Sequence, residues 1–312
     1  MDPVGHLPVL LEESIALLDP RPNADFIDCT SGAGGHSTAL LDRTGPRGRL
    51  LALDADPAAV EQVRVRLRGY GDRARVVQSN FRDLAAVAER EGFAAVDGIV
   101  MDLGMSSRQI EQSGRGFSFR RDEQLDMRYD PSQTRTAADV LASASRDEIA
   151  GALRDFGEEP HSLRIANAIV AARAREPLRT TQQLASLVSS VVGRSTGRIH
   201  PATRTFQALR ILTNDELGAL RETLPQAIGL LRRGGRLAVI SFHSLEDRIV
   251  KSFMRREAGL AVDTAARHLP VPEERPRPRL RILTRRPLTP TADEVARNPR
   301  SRSARLRVAE RI

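Results

Sequence analysis

The sequence has one cysteine, one lysine and few aromatic residues. Cys29 stands alone in a chain of 312 residues, which excludes an internal disulfide and a zinc site built from cysteines. The six histidines include no pair at helical ligand spacing, so we expect no dedicated metal site. No apolar run approaches the roughly 20 residues of a membrane-spanning helix, so we expect no membrane partner. The N-terminal region contains Asp2, Glu12 and Glu13, whereas a secretory signal needs a basic segment followed by an apolar one. We therefore expect a cytoplasmic location.

Positive charge is abundant but concentrated towards the C-terminus. The formal net charge is +8, and residues 275–312 hold twelve arginines against three acidic residues. The rest of the chain is therefore close to neutral. A basic surface of this kind is typical of proteins with a polyanionic partner such as a nucleic acid.

The stretch from Phe26 to Ser37 predicts a strand, a tight turn and a helix. Two apolar residues precede Asp28, and Gly32, Gly34 and Gly35 follow before a helix-permissive run. Backbone without Cβ atoms can approach a ligand while the first N–H groups of a helix point at it. A glycine turn that binds nothing is the alternative.

Three further strands are predicted to end in polar or glycine-containing turns. The first leads into Asp54, about 20 residues after Gly34, where a nucleotide-binding α/β unit presents a carboxylate to ribose hydroxyls. The next two lead into Asn80-Phe81 and into Asp102. The carboxyl ends of parallel strands meet at one edge, so these turns should converge, and Phe81 or Asn80 would contact an adenine. Ordinary loop packing is the alternative for these two residues.

Between residues 111 and 205 the alternation of strand, turn and helix gives way to helical patterns. Capping boxes begin at Ser145 and Thr180, and apolar residues repeat at helical spacing. We therefore predict an inserted helical substrate-recognition subdomain over 111–205. The cofactor-binding domain is then discontinuous, over 1–110 and 206–312.

The segment that opens this insertion interleaves aromatic residues with arginines. Aromatic faces can stack on unpaired bases while guanidinium groups hold phosphates, so the segment predicts contact with single-stranded RNA. Solvated charges over a small hydrophobic anchor are the alternative. The candidate substrate-binding residues are Arg115, Phe117, Phe119, Arg120 and Arg128.

After the insertion, a glycine pair leads into a fifth strand at residues 237–240. Ser241 and His243 follow at its carboxyl end, on the side where the ligand crevice is expected. A lone histidine is more often structural than catalytic, but this placement leaves both roles open. Two β-like runs, 280–285 and 304–309, are predicted to close the sheet as a hairpin-like pair.

The spacing of the first glycine turn argues against a dinucleotide. Ser37 occupies the place of the third glycine in the GxGxxG fingerprint of dehydrogenases. S-Adenosylmethionine has no pyrophosphate and does not need that fingerprint. The helix, the glycine pair and the fifth strand that follow one another after the insertion are also typical of seven-stranded methyltransferases.

Nine stretches of the sequence carry a resemblance to a known family. They are His6-Leu-Pro-Val-Leu-Leu, Gly34-Gly35-His36-Ser37, Leu53-Asp54-Ala-Asp56-Pro57, Asp97-Gly98 through Asp102-Leu-Gly-Met-Ser-Ser107, Arg115-Gly-Phe-Ser-Phe, Leu125-Asp-Met-Arg, His200-Pro-Ala-Thr-Arg-Thr-Phe-Gln-Ala-Leu-Arg210, Ser241-Phe-His-Ser-Leu-Glu-Asp-Arg248 and Asn298-Pro-Arg-Ser-Arg-Ser. Through them the chain resembles the MraW/RsmH enzymes, which methylate the exocyclic N4 of a cytosine in the decoding region of 16S ribosomal RNA.

The resemblance implies an α/β fold, with a Rossmann-like seven-stranded methyltransferase sheet and an inserted small helical subdomain. It implies S-adenosylmethionine as cofactor and 16S rRNA within the small ribosomal subunit as partner. It further implies cofactor contacts at Gly34, Gly35, His36, Asp54, Phe81, Asp102 and Gln109.

The cytosine N4 amine is a poor nucleophile, so catalysis needs an acceptor that orients it and later takes its proton. We predict that Asp102, or a carbonyl of its turn, orients the amine and that His243 or Ser241 assists. Phe117 or Phe119 would stack on the base. The alternatives are a small-molecule methyltransferase, a non-catalytic ribosome assembly factor, and a DNA amino-methyltransferase, which the missing Pro-Pro turn disfavours.

Overall fold

The structure, a computed structural model, describes residues 8–193, 200–260 and 277–312. Outside them lie His6 and Leu7, the first two residues of the motif at His6, together with Leu7 as the first residue of a helix that the sequence predicts over 7–18, and 261–276 of a proline-rich loop that it predicts over 261–279. The chain forms two compact units. They are Met1–Gly104 with Ala219–Ile312, here called the sheet unit, and Met105–Gly218, here called the helical unit.

Seven strands form one sheet: β1 (Phe26–Asp28), β2 (Leu50–Asp54), β3 (Ala74–Gln78), β4 (Val96–Asp102), β5 (Leu231–Ser241), β6 (Leu280–Ile282) and β7 (Arg305–Arg311). Their order across the sheet is β3-β2-β1-β4-β5-β7-β6. Strands β1 to β5 pair in parallel, whereas β7 is antiparallel to both β5 and β6. The predicted α/β fold with seven strands is confirmed, as is the closing pair of strands.

The helices are α1 (Leu11–Leu18), α2 (Gly35–Arg43), α3 (Pro57–Leu67), α4 (Leu84–Arg90), α5 (Ser107–Gln112), α6 (Ala137–Ser143), α7 (Arg146–Gly157), α8 (Ser162–Arg173), α9 (Thr181–Val192), α10 (Thr203–Asn214), α11 (Glu216–Leu230), α12 (Ser244–Glu257) and α13 (Ala292–Arg297). Within the described ranges, none of them is long and apolar enough to cross a membrane.

Both faces of the sheet are buried. Ile27, Leu51 and Ile99 contribute to a core on one face, and Phe26 and Leu50 contribute to a core on the other. Side chains alternate between the faces of a strand, and a parallel sheet covered on both sides therefore reads as a continuous apolar run. The strand ends are then the places where polar groups collect.

Two local predictions are wrong in detail. The sequence predicts two helices, 216–224 and 227–231, on either side of Pro225, whereas α11 runs through Pro225 as one helix. Pro225 lies on the exposed face, so water can replace the lost backbone bond, and buried Leu224 keeps the helix packed. Strand β5 starts at Leu231, before the glycine pair, because that pair forms a bulge in which Gly234 has a φ of 83°.

The helical unit has a hydrophobic core of its own. Ile165, Ile169, Leu184 and Val188 meet there with Phe117 from the opening segment. The predicted capping boxes are confirmed at the starts of α7 and α9. The side chain of Ser145 or Thr180 accepts from the N–H three residues later, and the side chain of that later residue accepts from the N–H of Ser145 or Thr180.

Candidate functional site

The turn after β1 exposes the start of α2 at the carboxyl edge of the sheet. Gly32 and Gly34 have positive φ values of 51° and 80°, which L side chains rarely adopt. The N–H of Gly34 donates to the carbonyl of Ser31 at 2.6 Å. A Cβ on Gly35 would lie 2.7 Å from Cγ of Pro8, so packing alone requires glycine there. Gly34, at the N-cap position, has no side chain with which to cap this helix end, which suits a polar ligand.

Asp54, at the end of β2, is tied to this turn. Its Oδ2 accepts from the N–H of Gly32 at 2.8 Å, and its Oδ1 accepts from the N–H of Asp56 at 2.9 Å. Burial raises the pKa of Asp54 to about 6. The carboxylate therefore holds the turn in place, and its remaining lone pairs can accept hydrogen bonds from a ligand.

Asp102, at the end of β4, lies beside the same turn. Its backbone N–H donates to Oγ1 of Thr30 at 2.6 Å, and its Oδ2 lies 3.8 Å from Nδ1 of His36. Burial, with smaller contributions from three other carboxylates, raises the pKa of Asp102 well above its usual range.

Two buried polar atoms at this edge have no hydrogen-bond partner among the described residues: Oδ1 of Asp102 and Oγ of Ser31. Buried polar groups are normally paired, so these atoms fit a site that takes a polar ligand. With the open helix end at Gly34 and the carboxylate of Asp54, the residues present suit a nucleoside that carries a positive charge.

Asp28 links the strand ends, a role that the sequence did not reveal. Its Oδ2 accepts from Oγ of Ser37 at 2.7 Å and its Oδ1 accepts from the N–H of Thr30 at 3.1 Å. Because Thr30 in turn bonds Asp102, one buried carboxyl joins β1, α2 and β4. Burial raises the pKa of Asp28 to about 6. The only signal in the sequence is an acid at the end of an apolar strand.

Asn80 and Phe81 follow β3. The Asn80 side chain accepts from the N–H of Arg82 at 2.9 Å and so caps a short turn. The Phe81 ring is partly buried against the core of the sheet, and its carbonyl accepts from Oγ1 of Thr223. The Asn80 side chain is therefore occupied in a cap, whereas the Phe81 ring is only partly buried and has no such bond to make. The contact of Phe81 with an adenine stays a prediction.

Ser241 and His243 lie at the end of β5 with local partners. Oγ of Ser241 donates to the carbonyl of Arg305 at 3.4 Å. His243 caps α12: its Nδ1 accepts from the N–H of Glu246 at 3.5 Å, and its Nε2 lies 3.2 Å from Oε1 of that residue. Both side chains hold the end of β5, and their predicted assistance in catalysis stays a prediction.

Gln109 belongs to the helical unit. It is buried in α5, where its Oε1 accepts from the N–H of Ser106 at 2.9 Å and completes a capping box. This contact explains its position without a ligand, so the cofactor contact implied by the resemblance stays a prediction.

Three of the five predicted substrate residues are engaged inside the helical unit. Arg115 donates to the carbonyls of Arg128 and Tyr129 at 3.1 and 2.8 Å. Arg128 forms a two-pronged pair with Asp126 at 2.7 and 2.8 Å, and Phe117 is buried and stacked on Tyr129. These side chains shape the segment, and their contact with substrate stays a prediction.

Phe119 and Arg120 are the other two predicted substrate-binding residues. Phe119 is partly buried, with its ring centroid 4.5 Å from that of His200 and 5.0 Å from that of Phe206. The Arg120 side chain is exposed and, among the residues that the structure describes, makes no hydrogen bond or ion pair. An aromatic ring beside an uncommitted cation is a suitable surface for an unpaired nucleotide.

Known proteins match this chain along its whole length. The MraW methylase family matches residues 3–312. The "Ribosomal RNA small subunit methyltransferase H" of Thermomicrobium roseum is 52% identical, over 100% of this chain and 95% of its own. Its namesake from Heliobacterium modesticaldum is 47% identical, over 98% of both chains. Among solved structures, TrmN from Thermus thermophilus has a TM-score of 0.44 at 14% identity, over 99% of this chain and 50% of its own. The chain belongs to the MraW methylase family.

Proposed function

We propose that this S-adenosylmethionine-dependent rRNA methyltransferase methylates the exocyclic N4 of a cytosine in the decoding region of 16S rRNA, within the small ribosomal subunit. The observation that carries the proposal is that Asp54 and Asp102 both lie against the glycine turn, Asp54 through the N–H of Gly32 and Asp102 through Thr30 and His36. Family membership supports the reaction class, and the choice of N4 follows from the resemblance.

The sheet unit would hold the cofactor through three strand ends. Asp54 would accept hydrogen bonds from the ribose hydroxyls, and the ring of Phe81 would pack on the adenine. The first turn of α2, which starts at Gly35, would bind the methionine part through backbone N–H groups. When ionised, the carboxylates of Asp28 and Asp102 would give this edge the negative potential that suits a cation.

Bound S-adenosylmethionine supplies an electrophilic methyl group on a positively charged sulfur. Asp102 would accept a hydrogen bond from the N4 amine and so direct the lone pair of the nitrogen towards that group. When the N–C bond forms and the S–C bond breaks, one amine proton must leave. A carboxylate with a raised pKa is suited to receive it.

The affinity for S-adenosylmethionine is expected to depend on pH. The pKa of Asp28 and the pKa of Asp54 are both raised to about 6, so both groups lose their negative charge as the pH falls through that value. Protonation weakens the attraction for the sulfonium and ammonium groups. We expect affinity to rise roughly tenfold from about pH 5.5 to 7.5.

Calorimetry in two buffers of different ionisation enthalpy would measure this affinity and the protons released on binding. S-Adenosylhomocysteine, which has no sulfonium charge, is the matched control and should respond less. An affinity for S-adenosylmethionine that stays constant over this pH range would contradict the electrostatic role of these carboxyls.

The exposed arginines near the C-terminus would contact phosphates. Arg285 and Arg286 make no ion pair among the described residues, whereas exposed Arg281 is bonded to Glu310 at 2.6 Å. We expect the R285A/R286A double variant to bind rRNA more weakly. Log K falls as log salt rises, and in this variant the slope should be shallower by about one to two. R281A, which removes a paired arginine, should lower it less. Equal slopes in all three proteins, from filter binding, would exclude this surface.

The reaction is tested by incubation with labelled S-adenosylmethionine and four acceptors: unmodified small subunits, naked 16S RNA, DNA and free nucleosides. We expect label in the subunits or the 16S RNA. Label found only in DNA or in nucleosides would refute the proposal. Subunit binding with no label in any acceptor would indicate an assembly factor.

A further inference from the structure

We propose that Arg66, near the end of α3, is a positioning residue that fixes the glycine turn in the form that binds the cofactor. The inference rests on the proposed function of that turn. Arg66 is exposed, and it is bonded to Ala33 in the glycine turn and to Thr38 in α2, the helix that follows that turn. It would act through the backbone and not by touching the substrate.

The first contact fixes the peptide between Ala33 and Gly34. Nη1 of Arg66 donates to the carbonyl of Ala33 at 3.0 Å. On the other side of the same peptide, the N–H of Gly34 donates to the carbonyl of Ser31 at 2.6 Å. The C=O and N–H of a trans peptide point in opposite directions, so this peptide is held from both sides.

The second contact fixes the next peptide. Nε of Arg66 donates to Oγ1 of Thr38 at 3.0 Å, and that hydroxyl donates to the carbonyl of Gly34 at 2.7 Å. The Gly34 carbonyl also accepts the N–H of Thr38 at 2.9 Å. The N–H of Gly35 therefore points the opposite way, where a ligand at the start of α2 would meet it.

The stem of Arg66 also packs on the turn. A Cβ on Gly34 would lie 3.0 Å from Cδ of Arg66, so the guanidinium reaches Ala33 across a residue without a side chain. Glycine peptides rotate readily, and the ordering of a loose turn costs binding free energy. A guanidinium suits the task because Nε and Nη1 lie in one rigid plane, whereas an ammonium group offers a single point charge.

The test compares R66A and R66K with R64A. Arg64 is an exposed arginine on the same helix whose bond to the carbonyl of Val76 is 3.5 Å long, so it is a matched control. We expect R66A to raise the Kd and KM for S-adenosylmethionine roughly tenfold, because two hydrogen bonds that order the turn are lost. R66K should bind the cofactor nearly as weakly as R66A does. The turnover number at saturating cofactor should change less than about threefold in every variant.

Hydrogen exchange gives a second readout that a merely structural role would not produce. Deuterium uptake by a peptide that covers residues 30–38 should rise in R66A without cofactor, while Tm stays close to that of R64A. T38V removes the bridging hydroxyl, so its loss of affinity should not add to that of R66A.

The outcomes separate the inference from the proposed function. If D54A weakens cofactor binding while R66A, R66K and T38V all behave as R64A does, the role of Arg66 is refuted and the site stands. If D54A and R66A both leave binding unchanged, the proposed cofactor site itself is wrong. A turnover loss with unchanged KM would also refute the positioning role.

Discussion

Replacement of Asp102 by asparagine should lower the rate of methyl transfer by roughly 100- to 10,000-fold, the range typical of a lost acid-base group. Asparagine keeps the shape of the side chain and the backbone N–H that bonds Oγ1 of Thr30 at 2.6 Å. It loses the negative charge that would orient the amine and receive its proton. Since the wild-type pKa is raised, the wild-type rate should itself fall as the pH falls through that pKa.

The decisive quantity is the single-turnover rate at saturating cofactor with small subunits as acceptor. Exposed Asp72 provides the matched control, because D72N removes one negative charge from the sheet unit at a position outside the proposed site. Cofactor affinity must be measured in parallel, since Asp102 is also a predicted cofactor contact. Full turnover in D102N with normal cofactor binding would end the orienting role.

Replacement of Asp54 by alanine should weaken S-adenosylmethionine binding roughly 100-fold. Two effects combine: an acceptor for the ribose hydroxyls is lost, and the N–H of Gly32 loses the carboxylate that anchors it at 2.8 Å. D72N removes an exposed acid from the same unit and should bind the cofactor as the wild type does. Calorimetric affinities of D54A within threefold of those of D72N would contradict the assignment.

We do not expect D54A to lose cofactor affinity by unfolding. The folded-state pKa of Asp54 is raised to about 6, so the ionised group opposes folding at neutral pH. The protonated form of Asp54 is the one that the folded state favours. Its contribution to stability is complete below the unfolded pKa, near 4, and is lost as the pH rises through 6. Removal of the charge therefore offsets part of the lost hydrogen bonds. The Tm of D54A without cofactor should stay near that of the wild type at pH 7.5.

The sheet was predictable because its strands are continuous apolar runs that end in polar turns. Strand β3 ends just before Asn80 as predicted, and Asp54 and Asp102 stand where the rule for parallel sheets places them. Helix α11 was not predictable through Pro225, because packing and an exposed face outweigh the local preference of proline.

The supporting contacts could not be read from the sequence. Arg66 looks like any arginine on the exposed face of a helix, and its link to Ala33 depends on the packing of α3 against the turn. Arg115 and Arg128 carry the charge expected of phosphate ligands, yet their guanidinium groups bond neighbouring carbonyls and Asp126. Residue type predicts what a side chain can bind, whereas only the folded chain shows which partner it has.

The central claim is that the amine of a cytosine in 16S rRNA receives the methyl group at this edge of the sheet. Its most direct test is mass spectrometry of nucleosides digested from small subunits after reaction with labelled S-adenosylmethionine. The account predicts label in N4-methylated cytidine with the wild type, and almost none with D102N. Label in 5-methylcytidine or in a 2′-O-methylated nucleoside would contradict it.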